Sequence, residues 1–305
     1  MERNTMSVES YNDFQALPEG CIATALSLTS PKDACRLSVV NPTFRSAAES
    51  DAVWERFLPP DYRDIILRSV DGYDSVLAKF RSKKELYFHL CDNPIIIDGG
   101  NKSFSLDKGT GKKCFMLAAR DLLIVWGDTP EYWRWIPYPE SRFPEVAELL
   151  DVCWFEIRGK INTSMLSSGT TYAAYLVFTS KSGIYGFEYQ PAEATVGISG
   201  QDGVKRTVCL DPDGEQRHRY QIVPRRIFFN HRLAHIYRRR GDLASERITE
   251  YPKVRADKWM EVGLGEFYVD GEQNLDMEIS LTETKGGNWK NGVVIQGIEI
   301  RPKAE

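Results

Sequence analysis

The spacing of apolar residues changes along this chain of 305 residues, from a helical repeat near its start to the repeat of strands farther on. Apolar residues between positions 22 and 28 recur at intervals that place them on one helix face. Ser30 followed by Pro31 is a helix-start signal, with Ser30 as N-cap and Pro31 at the first helical position. Further apolar groups predict short helices over 43–48 and 53–58. A module of three short helices buries little core and is often stabilised by a partner.

Residues 61–94 are charged and helix-prone, and we interpret them as a helical connector. Farther on, the apolar runs are short, rich in aromatic and β-branched residues, and separated by Gly, Pro, Asn and Asp. They predict strands over 122–125, 172–179, 183–189, 204–210, 258–264, 275–281 and 292–300. Strict alternation over 275–281 indicates a strand with one buried face. We therefore predict an α+β multidomain protein that is helical at its start and ends in an antiparallel β-sandwich of jelly-roll type.

Composition indicates the cellular compartment in which the protein is expected to act. Hydrophobic residues make up 42% and charged residues 27% of the chain, as in ordinary globular proteins. Apolar runs stay short of the roughly 20 residues that a membrane span needs, and the polar stretch 1–15, predicted to be disordered, shows no secretory signal. Six scattered cysteines predict free thiols, and a net charge of -4 gives no general attraction to nucleic acid. We expect a protein of the cytoplasm and nucleus with no membrane partner.

Residues with catalytic or metal-binding potential do not form a recognisable pattern. A Gly-x-Ser-x-Gly elbow is missing, and a pair of carboxylates acting on glycosidic bonds is left open only because carboxylates are plentiful. His231 and His235 have a ligand-like spacing, but position 232 is Arg and not Glu. Residues 217–240 carry eight arginines and three histidines, which predicts either a solvated insertion or an anion-binding or nuclear-import patch. The sequence predicts a binding protein without cofactor or metal, and not an enzyme.

A dense aromatic stretch surrounds the turn at residues 127–130. Trp126 precedes the turn, and Tyr132, Trp133 and Trp135 follow it. Aromatic rings this close together are hard to bury at once, so some are expected to face solvent or a ligand such as a sugar ring, a proline or a base. The alternative is that Trp126 and Trp135 belong to the core and only Trp133 is partly exposed.

This stretch resembles the phloem lectins, the Nictaba-like domains of plants. The similarity continues in order downstream, through residues 146–149, 154–160, 172–178, 257–267 and 297–302. The resemblance implies a lectin fold over 95–303 and a glycan or glycoprotein ligand that contains N-acetylglucosamine or a related sugar. It places the family's sugar-binding residues on Trp126, Trp133, Asp276 and Glu283. A tryptophan face stacks on the C–H groups of a sugar, and a carboxylate accepts hydrogen bonds from its hydroxyls.

Two features of the acidic pair depart from the family's expectation. Asp276 is shorter than the glutamate usual at that position. Asp276 and Glu283 are also seven residues apart, so that one regular strand would point them to opposite faces. They can serve one site only if the strand ends or bulges before Glu283.

The helical start resembles the F-box. The similarity lies in Leu17-Pro18, the apolar ridge over 22–28, the helix start at 30–33, residues 38–44 and Ala52-Val-Trp54. The resemblance implies docking of residues 16–60 on a Skp-type adaptor, and through it on a cullin ubiquitin ligase. The adaptor-binding residues that it implies are Leu17, Pro18, Ile22, Leu26, Pro31, Val53 and Trp54.

Together the two resemblances predict a substrate receptor of a Skp–cullin–F-box ubiquitin ligase that captures glycoproteins. Two alternatives stay open at this point. The lectin-like domain could bind protein surfaces instead of sugar, or the chain could be a lectin whose helical start is merely a structural cap.

Overall fold

The structure, a computed structural model, describes residues 17–187, 190–213, 249–285 and 287–303. The chain divides into two compact units. The first holds residues up to Gly99 together with Ser103–Phe115, and the second holds Gly100–Lys102 and the residues from Met116 onward. The predicted disorder of 1–15 and the basic stretch 217–240 lie outside the described residues.

The first unit is helical. Its described helices are α1 (Glu19–Ser27), α2 (Pro31–Leu37), α3 (Pro42–Glu49), α4 (Asp51–Phe57), α5 (Tyr62–Leu67), α6 (Tyr73–Leu77) and α7 (Lys83–Asp92). Three short strands follow: β1 (Ile95–Ile97), β2 (Lys102–Leu106) and β3 (Lys113–Ala118), the last of which runs into the second unit.

The predicted three-helix module contains four helices among the described residues, and two of them, α2 and α3, begin at side-chain caps. The Ser30 hydroxyl accepts a hydrogen bond from the backbone N–H of Asp33 at 3.1 Å and begins α2. The Asn41 side chain accepts one from the N–H of Phe44 at 2.8 Å and begins α3. Each cap is followed by a proline at the first helical position.

Trp54 lies at the centre of the first unit. It is fully buried, and its indole N–H donates to the carbonyl of Ala48 at 2.6 Å. Its ring packs on Phe57 and on Tyr87 and Phe88 of α7, with ring centroids 5.1 to 5.6 Å apart. The segment 61–94, predicted as a helical connector, therefore forms helices that pack on α4.

The second unit is built from strands. They are β4 (Leu123–Ile124), β5 (Trp133–Ile136), β6 (Val146–Leu149), β7 (Phe155–Asn162), β8 (Thr170–Tyr185), β9 (Ala192–Ile198), β10 (Val204–Val208), β11 (Thr249–Glu250), β12 (Lys253–Val254), β13 (Met260–Val269), β14 (Asp276–Glu283) and β15 (Asn291–Pro302). In one sheet the order is β3, β15, β8, β13, β12, with β6 beside β15 and β5 beside β6. In the other sheet the order is β11, β10, β9, β14, β7, β4.

The two sheets pack face to face. A Cβ atom added to Gly159 of β7 would lie 3.0 to 3.2 Å from Leu117, Leu122 and Ile298, which places β7 over β15. A Cβ on Gly265 of β13 would lie 2.6 Å from Val196 of β9. The long strand pairs are antiparallel, and the short pair β10–β11 is parallel. The predicted combination of a helical start and an antiparallel sandwich is confirmed.

One strand differs from its prediction. Residues 172–179 and 183–189 were predicted to be separate strands, but β8 continues from Thr170 to Tyr185. It pairs with β15 on one side and β13 on the other. The β13 ladder ends at Phe178, but the β15 ladder continues past Ser180, where the residue pattern had suggested a break, and through a register shift to the pair of Tyr185 with Asn291.

The described helices include none that is both long and apolar enough to cross a membrane.

Candidate functional site

Four large aromatic side chains are exposed at one end of the two sheets, which we call the aromatic end: Trp126, Trp154, Tyr185 and Trp289. Between 43% and 55% of each residue's surface is open to solvent. Tyr268, the other strongly exposed aromatic residue described in this unit, pairs with Thr171 near the opposite end of β8. Exposed apolar surface gathered in one place is typical of a binding site.

Strand register brings the four residues to the same end. Phe155 at the start of β7 pairs with Glu283 at the end of β14, which places Trp154 beside the loop that follows β14. Tyr185 at the end of β8 pairs with Asn291, two residues beyond Trp289. The N–H of Val125 donates to the carbonyl of Glu156 at 3.0 Å, so the turn that carries Trp126 lies alongside the start of β7.

Trp126 has a strained backbone. Its φ of 60° lies in the left-handed region, which costs a bulky residue about 1–3 kcal/mol. The turn is held by Trp135, whose indole N–H donates to the carbonyl of Gly127 at 2.9 Å. The Trp126 ring packs on Tyr132 with centroids 5.2 Å apart. Strain that the surrounding structure maintains is typical of functional sites.

Trp154 is oriented by charged neighbours. Its indole N–H donates to Oε2 of Glu156 at 2.8 Å, and Arg158 donates to the other oxygen at 2.8 Å. Arg158 also donates to Glu278 at 2.9 Å. Burial would raise the pKa of Glu278, but hydrogen bonds from Lys160 and Arg158 outweigh burial and lower it. The Glu278 carboxylate therefore stays charged at neutral pH, and the hydrogen bond to Glu156 orients the exposed Trp154 indole.

Trp133 lies beneath the aromatic end and not on its surface. Only 2% of it is exposed. Its ring faces Phe155 at 6.3 Å, and Phe155 contacts Phe187 at 5.1 Å. The indole N–H has no hydrogen-bond acceptor among the residues that the structure describes. The resemblance implies ligand contact for Trp133, whereas the structure buries its ring against Phe155.

The two acidic residues of the resemblance do not meet. β14 and β7 pair in continuous register from Asp276 to Glu283, so the bulge that one shared site would require is not present in this pair of strands. Asp276 is exposed and accepts a hydrogen bond from Asn162 at 2.7 Å, whereas Glu283 faces inward and is 3% exposed. Seven strand steps separate them by about 24 Å. Trp126 is therefore the member of the predicted sugar-binding set that is exposed at the aromatic end.

Of the seven predicted adaptor-binding residues, some are exposed and others are buried. Leu17 and Pro18 are exposed, but five of the seven are buried inside the first unit: Ile22, Leu26, Pro31, Val53 and Trp54. Three exposed apolar residues in the same region were missed: Leu28, Val39 and Val40. Val39 is 84% exposed. They follow the ends of α1 and α2, and apolar residues just past a helix end are the signal that would have identified them.

A cluster of charged side chains on the sheet that contains β13 and β15 is paired internally. Glu299 is buried and bonded to Arg142, Arg255 and Arg301 at 2.6 to 2.9 Å. Burial would raise the pKa of Glu299, but the three arginines outweigh burial and hold it at about 2. Glu261 bonds Arg255 and Arg301 as well. Because its charges are matched by neighbours, we interpret this cluster as structural.

Comparison with known proteins gives two family matches. The Phloem protein 2 model matches residues 112–302, and the F-box domain model matches residues 14–56. Relatives in Arabidopsis thaliana match most of this chain. F-box protein At2g02240 is 46% identical, covering 95% of this chain and 80% of the relative. F-box protein PP2-B1 is 42% identical, covering 98% of this chain and 92% of the relative. F-box protein PP2-B10 is 45% identical, covering 99% of this chain and 98% of the relative.

Both matches agree with the described fold. The F-box match covers α1 to α4 up to residue 56, and the Phloem protein 2 match covers all twelve strands from β4 to β15. The chain belongs to the family of F-box proteins that carry a phloem protein 2 domain.

Proposed function

We propose that this protein is a substrate-recognition subunit of a Skp–cullin–F-box ubiquitin ligase, acting in the cytoplasm and nucleus. The first unit docks on a Skp-type adaptor, and the second captures glycoproteins through their sugars. The protein itself catalyses no reaction. The observation that carries the proposal is the aromatic end, which exposes three of the seven tryptophans of a chain that also contains an F-box.

The adaptor surface is formed by apolar side chains that the first unit leaves uncovered. Leu17, Leu28, Val39 and Val40 are exposed, and all lie within the F-box match. The buried residues of the same region, such as Trp54, hold the helices together and present that surface. Burial of the exposed side chains by an adaptor would supply most of the binding free energy.

Adaptor binding is tested by a paired substitution. We expect Val39→Asp with Val40→Asp to reduce co-purification with a Skp-type adaptor by about tenfold or more, since two charges would enter an apolar interface. Leu67→Asp is the matched control, because Leu67 is 60% exposed in the same unit but outside the F-box match. Equal adaptor recovery from both variants would refute the assigned surface, and absence of adaptor binding by the wild-type chain would refute the ligase role.

The sugar surface is supported by the chemistry of the aromatic end. Trp126, Trp154 and Trp289 offer flat apolar faces, and Glu156 places a carboxylate beside Trp154. This combination suits a ring with apolar C–H groups and hydroxyl donors, such as N-acetylglucosamine. The groove next to it has a volume of 550 Å³ and is lined by Leu123, Glu156 and Arg158 among others.

Sugar binding is tested with the full chain on a glycan array. We expect selective binding that falls by about tenfold or more in Trp154→Ala and in Trp126→Ala, because each substitution removes a stacking face. Tyr268→Ala is the control, since Tyr268 is also an exposed aromatic residue but lies near the opposite end of β8. An equal loss in the control would show that the aromatic end is not the site.

A second candidate function is favoured by one observation. Trp133 and Glu283, two of the four sugar-contact residues that the resemblance implies, are buried. A receptor that binds a protein surface through the exposed tryptophans accounts for this as well. A folded chain that binds no glycan on the array, yet loses its protein target when Trp154 is replaced, would establish this second function.

A further inference from the structure

Lys290 is a charged residue in the interior of the aromatic end. Its side chain is 0% exposed, and it forms an ion pair with Glu283, whose side chain is 1% exposed. Full burial of both members of an ion pair is costly, because two charges are removed from water. The hydrogen bonds that this buried pair makes with the surrounding structure indicate its role.

The hydrogen bonds of Lys290 lead to the two loops that carry exposed tryptophans. Its ammonium group donates to the carbonyl of Cys153 at 3.1 Å and to the carbonyl of Asn288 at 2.8 Å. Cys153 immediately precedes Trp154, and Asn288 immediately precedes Trp289. The backbone of Lys290 also exchanges two hydrogen bonds with Val152, at 2.8 and 3.0 Å.

Glu283 supplies the third attachment. It is the last residue of β14, opposite Phe155 of β7. Besides pairing with Lys290, its carboxylate accepts a hydrogen bond from the backbone N–H of Lys285 at 3.1 Å. One buried pair therefore ties together the end of β14, the loop before β7 and the loop before β15.

Close backbone packing supports the same arrangement. Gly186 has a φ of 86°, and a Cβ atom added there would lie 2.1 Å from the carbonyl oxygen of Trp289. The backbone at Trp289 therefore packs against Gly186 on one side and follows Asn288, whose carbonyl accepts a hydrogen bond from Lys290. The Trp289 side chain is exposed on a backbone that is fixed from both sides.

We infer that Glu283 and Lys290 are positioning residues, which fix Trp154 and Trp289 for ligand binding and make no contact with the ligand themselves. This inference rests on the proposed function of the aromatic end. It reverses the role that the family resemblance implies for Glu283, which was expected to accept hydrogen bonds from sugar hydroxyls. A carboxylate enclosed by its own lysine and strand end is out of reach of a sugar at the surface.

The experiment compares Glu283→Gln, Lys290→Met and the exposed control Asp276→Asn in the full chain. Two quantities are measured: affinity for the strongest ligand found on the glycan array, and amide hydrogen exchange of residues 150–156 and 284–290 without ligand. We expect both interior variants to bind about tenfold more weakly and to exchange faster in both segments, because the loops lose their common anchor. Asp276→Asn should change neither quantity.

Two results would overturn the inference. Weaker binding by Glu283→Gln with unchanged exchange in the ligand-free protein would show direct ligand contact. Lys290→Met with wild-type affinity and wild-type exchange would show that the pair positions nothing.

A double variant covers the case in which the single variants fail to fold. Glu283→Leu with Lys290→Met removes both charges and keeps apolar volume, a replacement that buried pairs often tolerate. We expect it to fold, to exchange faster over the two segments and to bind weakly. Slow exchange and full affinity would refute the positioning role. If the wild-type chain binds no glycan, the proposed function fails, while the exchange measurement still decides whether the pair holds the loops.

Discussion

Glu283 and Asp276 show how the two-residue period of a strand decides which side chains a ligand can reach. Met277, Ile279 and Leu281 face the core, so Asp276 must face outward and Glu283, seven residues on, must face inward. The sequence predicts this opposition from spacing alone. It does not predict the partner of Glu283, because Lys290 is brought to it by the pairing of Val152 with Lys290, which no local pattern encodes.

For the tryptophans as well, the local sequence pattern predicts one part of the outcome and contacts between residues distant in sequence decide the other. Their density around residue 127 correctly indicated that some would be exposed. Which ones are exposed depends on the sheets: Trp133 is covered by Phe155 of β7, whereas Trp126 lies in a turn that borders the start of β7. Contacts between residues far apart in sequence therefore decided the membership of the candidate site.

At the residue scale, Glu299 predicts how stability depends on pH. Its pKa is held at about 2 in the folded protein, below its ordinary value of 4.5, so the folded state binds fewer protons than the unfolded state between these values. The resulting stability, about 3 kcal/mol for 2.5 pKa units, is fully present above pH 4.5 and is lost as pH falls toward 2. We expect Glu299→Gln to lose about 3 kcal/mol of unfolding free energy at pH 7.

Urea unfolding of the wild type and Glu299→Gln at several pH values measures the effect. The difference between the two proteins should shrink as the pH approaches 2. Glu272→Gln is the exposed control and should match the wild type throughout. A constant difference across the pH range would contradict the assignment of the low pKa to Glu299.

At the scale of elements, glycine positions show where strands must approach closely. Gly297 follows a register shift in β15, and a Cβ atom there would lie 1.9 Å from the carbonyl oxygen of Leu117. We expect Gly297→Ala to destabilise the second unit by about 3 kcal/mol or more, because the obstacle is backbone and cannot rotate away. Thermal unfolding of the full chain measures this.

Gly263 of β13 provides the matched control. A Cβ atom there meets Glu250 at an ordinary distance of 3.7 Å. Gly263→Ala should therefore change the unfolding free energy by less than about 1 kcal/mol. Equal losses at both positions would show that the approach of Leu117 is not what requires glycine at 297.

Element prediction succeeded where the signal was local. Ser30 and Pro31 marked the start of α2, and the alternation over 275–281 marked β14. It failed for β8, where pairing with β15 carries one strand through Ser180. The short strands β5 and β6 were also missed as strands, because each is only four residues long and is stabilised by its neighbour.

In the complete protein, one chain must hold an adaptor and a glycan at the same time to act as the proposed receptor. The two functions are assigned to separate compact units, and the exposed apolar residues of the first lie far in sequence from the tryptophans of the second. Substitutions in one unit should therefore leave binding by the other unchanged, since the two sets of residues belong to separate compact units.

The most direct measurement is recovery of a Skp-type adaptor on beads that carry the glycan selected on the array. We expect the wild-type chain to retain the adaptor on the beads, and we expect Val39→Asp with Val40→Asp to leave the chain bound but to lose the adaptor. Trp154→Ala with Trp289→Ala should lose both the chain and the adaptor from the beads, while still binding adaptor in solution. Adaptor recovery that is independent of the chain, or a chain that binds adaptor and glycan only in separate complexes, would refute the proposed receptor function.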